Sequence, residues 1–125
     1  MPRERRQSSH RRFPVRVPAL LRERVAPSGH SILGETRNIS RGGVSLRVRK
    51  ATIPTGAVEV SLRLVFRPPL TLTGTIVWSK AQPNPPGWHL GIQLAEELPQ
   101  QLVAEIADEG FRIGSVKWDI ASRDS

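Results

Sequence analysis

The 125-residue sequence predicts a mainly-β domain: six short antiparallel strands rolled into a small barrel, followed by one C-terminal α-helix. Three observations support this. Apolar residues recur at every second position in several short runs between Val15 and Leu94, the period of a half-buried strand. Clusters of Gly, Pro, Asn and Ser separate those runs at short intervals, as in hairpin-connected sheets. Beyond residue 96 the apolar period lengthens to that of a helix.

The first run, 17–25, mixes apolar and charged residues between Pro18 and Pro27, and 31–39 is a second candidate strand. In 43–49, Val44, Leu46 and Val48 alternate with Ser45, Arg47 and Arg49. In 57–66, Val58, Val60, Leu62, Leu64 and Phe66 share one face; in 70–78, Leu70, Leu72, Gly74, Ile76 and Trp78 do. The phase of Trp78 predicts packing in the core or at its rim. The last run, 89–94, has Leu90, Ile92 and Leu94 in step, and Trp88 just before it is expected to pack over a barrel edge. His89 reads as a surface strand residue. Residues 26–29, 41–43, 54–56, 67–69 and 83–87 carry the turn chemistry. So many short strands favour a closed barrel, which leaves no strand edge open. The helix is expected over 97–109, with a stripe of Leu98, Leu102, Val103 and Ile106, Pro99 in its first turn and Gly110 just past its end. The chain thus divides into a basic arm (1–9), a barrel domain with its helix (10–110) and a tail (111–125).

Composition narrows the function. There is no Cys, which removes disulfides, thiolate metal sites and thiol chemistry. The three His are far apart in sequence, and the three Asp (Asp108, Asp119 and Asp124) all lie toward the C-terminus. Acid–base enzymes gather such groups, and no phosphate-binding loop or triad motif appears, so no enzyme is expected. No apolar stretch is long enough to span a membrane, and a cytoplasmic protein is expected. The net charge is +8. Residues 1–24 hold eight Arg against two Glu, which implies an anionic partner. Sixteen of the 19 cations are Arg, whose planar fork matches phosphate and the guanine edge in a way that Lys does not.

Two motifs carry the chemistry. Arg12 and Arg16 form an Arg-x-x-x-Arg ahead of the first strand, with Arg11 immediately before it. Pro14 and Pro18 disfavour a helix there. The segment either runs extended, with the two Cα atoms roughly 13 Å apart, or wraps as a loop around one compact ligand. Asn38, Ser40 and Gly43 form an Asn-x-Ser-x-x-Gly at the second turn. Asn38 supplies a donor and an acceptor and Ser40 a hydroxyl, while Gly42 and Gly43 are free to take positive φ. Each motif alone has a plain explanation: chance among many Arg, and a tight hairpin turn. Together, in this order and with this separation between Arg16 and Asn38, they resemble the PilZ domain, a bacterial receptor module for cyclic di-GMP. The run 74–78 (Gly-Thr-Ile-Val-Trp) and the run 90–94 (Leu-Gly-Ile-Gln-Leu) are similar to later strands of that family. The resemblance covers about residues 10–108.

The resemblance implies a six-stranded antiparallel barrel with a C-terminal helix. It implies a cyclic di-GMP site in which Arg12, Arg16, Asn38 and Ser40 contact guanine and phosphate and Gly43 shapes the turn. Arg41 is an added contact, and Arg11 bears on whether one ligand or a stacked pair is held. Asn38 stands where Asp is commoner in the family. No cofactor beyond the ligand is implied. The partner expected is an effector protein of motility or biofilm control, reached as the ligand orders the Arg segment against the barrel, with the receptor a monomer or dimer. Two other readings compete. A basic barrel could bind RNA or DNA, although six aromatics without Tyr offer few stacking surfaces. A PilZ-like adaptor could bind protein and no nucleotide.

Overall fold

The computed structural model describes residues 12–24, 31–50, 53–65, 67–84 and 86–109. Seven strands run in order: β1 (Phe13–Pro14), β2 (Pro18–Glu23), β3 (Ile32–Ile39), β4 (Gly43–Val48), β5 (Ala57–Leu62), β6 (Leu70–Pro83) and β7 (Pro86–Leu94). A helix, α1, occupies 100–109. Every pairing is antiparallel, and β3 pairs with both β2 and β4. That second pairing closes the sheet, so β3, β2, β5, β6, β7 and β4 form the predicted six-stranded barrel. The two-residue β1 is an addition to the prediction, lying along the end of β3.

Alternation does what the pattern requires. Val44, Leu46 and Val48 of β4, Val58, Val60 and Leu62 of β5, and Leu90, Ile92 and Leu94 of β7 all point inward and are buried. Each such side chain taken out of water contributes about 1.5–3 kcal/mol. From α1, Val103 and Ile106 join the same core, with Leu98 of the lead-in also buried and Leu102 packed against it. The helix begins at a Pro99 carbonyl that accepts from the Val103 N–H at 3.1 Å. Arg67, on the β5–β6 connection, binds Glu105 at 2.9 Å and approaches the buried Glu109 at 3.5 Å. The helix therefore sits at the barrel end that carries the 40–42 turn. Among the described residues no helix is long and apolar enough to cross a membrane.

Three strand boundaries depart from the pattern. β5 stops at Leu62 rather than residue 66, because its partner β6 begins at Leu70 and Pro68 and Pro69 have no N–H with which to continue a ladder. β6 runs on to Pro83 and β7 starts at Pro86, so most of the expected 83–87 loop is a tight hairpin. The prolines there stand opposite one another at the hairpin end, where a missing donor is tolerated. β6 also contains a bulge between Ile76 and Trp78. One extra residue inverts the phase. Trp78, expected in the core or at its rim, instead faces outward and is 46% exposed. Trp88, expected over a barrel edge, is half-buried and packs against the core.

Candidate functional site

β1 assembles the site. Phe13 pairs with Ile39 and Pro14 with Asn38, and the Val15 N–H donates to the Arg37 carbonyl at 3.0 Å. The two motifs, well separated in sequence, are thus adjacent antiparallel strands. Between the two conformations open to Arg-x-x-x-Arg, the structure adopts the extended one. Val15 and Val17 are buried and Phe13 packs on the core, while Arg12, Pro14 and Arg16 alternate with them and are exposed. Both guanidinium-bearing residues therefore lie on the outer side of the segment, flanking Pro14 opposite Asn38.

Thr36 holds this segment in place. It is fully buried, and its hydroxyl accepts from the Val17 N–H at 2.9 Å and donates to the Val15 carbonyl at 2.6 Å. A bulge between Thr36 and Asn38 displaces Arg37 outward and sets Asn38 opposite Ser45. The Asn38 backbone N–H and side-chain Nδ2 both donate to the Ser45 hydroxyl, at 3.1 and 3.4 Å. One Nδ2 N–H is thereby engaged, and Oδ1 is the acceptor that Asn38 can offer a ligand. Ser45 went unrecognised in sequence because only the bulge register brings it to Asn38. Glu35 comes within 3.6 Å of Arg16 through the pairing of the first segment with β3, which the sequence does not display.

At the turn, the Ser40 N–H donates to the Gly43 carbonyl at 2.9 Å, and its hydroxyl reaches the same oxygen at 3.4 Å. Gly42 and Gly43 do not take positive φ; among the described residues only Gly56 and Gly87 have it. Gly43 gives clearance instead: a Cβ there would stand 3.0 Å from the Ile92 carbonyl oxygen, a tight contact. The long Ser40 hydroxyl contact adds little to the turn, which the backbone bond already closes. Ser40→Ala should leave the melting temperature nearly unchanged while weakening ligand binding by roughly 1 kcal/mol. A large fall in melting temperature would mean that the hydroxyl serves only the turn.

Arg41 was expected to contact ligand. Here its Nε donates to the Leu98 carbonyl at 3.0 Å and its terminal nitrogen lies 3.3 Å from Glu97. The Leu98 N–H donates back to the Arg41 carbonyl at 2.8 Å, and the Leu94 N–H to Gly42 at 2.9 Å. The turn is thus fastened to the lead-in of α1. Arg11, like the arm 1–9 and the tail 111–125, lies outside the described residues.

Strand register extends the site across the outer face. Asn38, Ser45, Gly91 and Trp78 form one row over β3, β4, β7 and β6. The Trp78 indole lies over Gly91, where any Cβ would collide with it. An exposed aromatic at the end of a row of hydrogen-bonding groups is a surface on which a base can stack. Flanked by Arg12 and Arg16, the row can meet a ligand that is both planar and anionic.

A family model described as the PilZ domain matches residues 5–109. The chain belongs to the PilZ family. Among solved structures, this PilZ chain is similar to the PilZ domain of Escherichia coli YcgR with cyclic di-GMP. The two share 11% identity at a TM-score of 0.64, covering 88% of this chain and 95% of that one. It is also similar to Borreliella burgdorferi PlzA in complex with cyclic di-GMP, at 11% identity and TM-score 0.60 over 94% of this chain and 57% of that one. Bacillus subtilis MotI/DgrA, an inhibitor of motility, matches at 13% identity and TM-score 0.60 over 78% of this chain and 48% of that one. The chain spans about half the length of the PlzA and MotI/DgrA chains. No curated protein matches the sequence. At these identities the likeness is one of fold.

Proposed function

We propose that this PilZ domain is a non-enzymatic receptor for cyclic di-GMP that acts through a partner protein. One observation carries the proposal: β1 pairs the Arg12–Arg16 segment with the Asn38–Gly43 strand and turn, so every described residue of the two motifs lies at one edge of the barrel. In the proposed complex Arg12 and Arg16 give charge-assisted hydrogen bonds to phosphate or to guanine O6 and N7. Asn38 Oδ1 accepts from a guanine N–H, Ser40 contributes its hydroxyl, and Trp78 stacks on a base. Gly43 keeps the turn close against β7. Arg41 reaches the ligand only by leaving Glu97 and Leu98, so its contact would draw on the helix lead-in. Arg11, next to Arg12 in sequence, would bear on whether one ligand or a stacked pair is held.

Residues 13–17 lie against β3, and in the proposed complex the ligand orders the guanidinium groups that this segment carries. The ordered, charge-neutralised edge is then the surface that an effector reads. Calorimetric titration with cyclic di-GMP, with GTP and cyclic di-AMP as controls, tests the proposal. Micromolar or tighter binding of cyclic di-GMP alone is expected. Binding of none of the three overturns it and leaves the nucleotide-free adaptor; salt-sensitive binding of all three, and of RNA, favours the general nucleic-acid reading.

A further inference from the structure

One step along the strands from the Asn38–Ser45–Gly91–Trp78 row is a second row on the same outer face. Register places Glu35, Arg47, His89 and Lys80 side by side on β3, β4, β7 and β6. Residues two apart on a strand share a face, about 7 Å from one another. Arg37, the extra residue of the β3 bulge, falls between the rows. At the centre is His89. Its ring meets Trp78 edge-on, with centroids 4.9 Å apart at 85°. It is half-buried, and its Nε2 is shielded from solvent with no hydrogen bond. Cations from three different strands act on it: Arg37, Lys80 and Arg47.

Resting on the receptor reading above, we infer that Arg37, Arg47 and Lys80, gathered around His89, form a second anion subsite that takes a phosphate group of the bound ligand, and that filling this subsite brings a proton onto His89. Three cations beside a neutral imidazole make this part of the outer face positive. Glu35, the carboxylate that stands opposite Arg47, is also engaged by Arg16. A phosphate among them brings the opposite charge and lies next to the Trp78 stacking surface.

The proton follows from electrostatics. Burial holds the His89 imidazole below its ordinary range, and repulsion from Arg37, Lys80 and Arg47 lowers it further. A phosphate cancels the repulsion and leaves the burial, so the bound state titrates at higher pH than the free state. Linkage then fixes the sign. Above both values no proton is taken up and affinity is flat; as pH falls through the bound-state value, uptake begins and binding tightens; below the free-state value it is flat again. The groups that act on the ring are Arg37 from β3, Arg47 from β4 and Lys80 from β6, with Trp78 of β6 against it; Glu35 stands beyond Arg47 in the same row.

Calorimetry with cyclic di-GMP near pH 6, in two buffers of different ionisation enthalpy, reads the uptake directly. The expected result is a measurable fraction of a proton taken up by the wild type, with tighter binding at pH 5.8 than at pH 7.5. The gain is at most about tenfold for each unit by which His89 is displaced. In His89→Gln both effects should vanish while binding persists. Wild-type binding without proton uptake, or uptake that survives in His89→Gln, overturns the inference and leaves the receptor reading intact. A second arm does not need cyclic di-GMP. The His89 imidazole, assigned by its loss in His89→Gln, is titrated by NMR with and without pyrophosphate. Its titration should move to higher pH with pyrophosphate, and should not move in an Arg37→Ala, Lys80→Ala double variant. If cyclic di-GMP fails to bind at any pH, the receptor reading falls, and this arm decides the subsite: an upward shift sustains it and an unmoved titration overturns it.

Discussion

Replacing Arg16 with Ala should weaken cyclic di-GMP binding by at least about 2 kcal/mol, because the bonds lost are charge-assisted ones to phosphate or guanine. The structure makes the competing contact explicit. Arg16 Nε lies 3.6 Å from Glu35; Arg16 is exposed and Glu35 partly so. An exposed ion pair of this kind is worth about 0–1 kcal/mol. A ligand phosphate is the stronger partner, so Glu35 does not hold Arg16 back. The same comparison predicts that Arg16→Ala changes the melting temperature very little. Arg12→Ala should cost as much affinity, since Arg12 flanks Pro14 from the other side. Calorimetric dissociation constants for the two variants, beside their thermal melts, provide the check. Unchanged affinity in both would remove the Arg segment from the site.

Thr36→Val should produce the largest loss of stability among changes near the site, roughly 3 kcal/mol or more. Valine has the same shape, so no cavity forms. What disappears is a hydroxyl that satisfies two buried backbone groups, the Val17 N–H and the Val15 carbonyl. Each group left unpaired costs about 1–3 kcal/mol. In a domain of this size the melting temperature should fall by on the order of 10 °C. Affinity should fall too, because the residues between the two Arg lose their anchor on β3. Thr36→Ser keeps the hydroxyl and should recover most of the loss. A Thr36→Val protein that melts with the wild type would show that the segment is held by the β1 pairing alone.

The two predictions concern residues of unequal visibility. Arg12 and Arg16 stand out in the chain because their spacing from Asn38 and Ser40 is distinctive. Thr36 does not: a threonine in a strand with mixed polarity reads as an ordinary surface position. Only the folded register buries it and sets its hydroxyl between Val15 and Val17. Trp78 was misjudged for a related reason. Its place in the run of Leu70, Leu72, Gly74 and Ile76 assigns it inward, and nothing local announces the extra residue at the bulge. The bulge is a property of β6 paired with β7, where Ile76 stands opposite Ile92 and Trp78 opposite Gly91. Gly91 is the sequence trace of that event, because it alone leaves room for the indole. Arg41 lies in the turn between β3 and β4, and its side chain is taken by Glu97 and Leu98, from the far end of the barrel sequence.

By itself, then, the sequence determined the barrel, its strands, the turn motif, the apolar stripe of the helix and the basic segment beside the first strand. These follow from short-range rules: a period of two, a period near four, and turn residues whose backbone preferences act within a few positions. The tertiary structure alone decided which strands join, where the ladder slips by one residue, and which side chains meet across the outer face. A slip of one residue costs little locally but reverses every side chain beyond it. Its direction is therefore set by the whole closed sheet rather than by the strand in which it occurs. That is why Asn38 meets Ser45, Thr36 turns inward, Trp78 turns outward and three cations converge on His89.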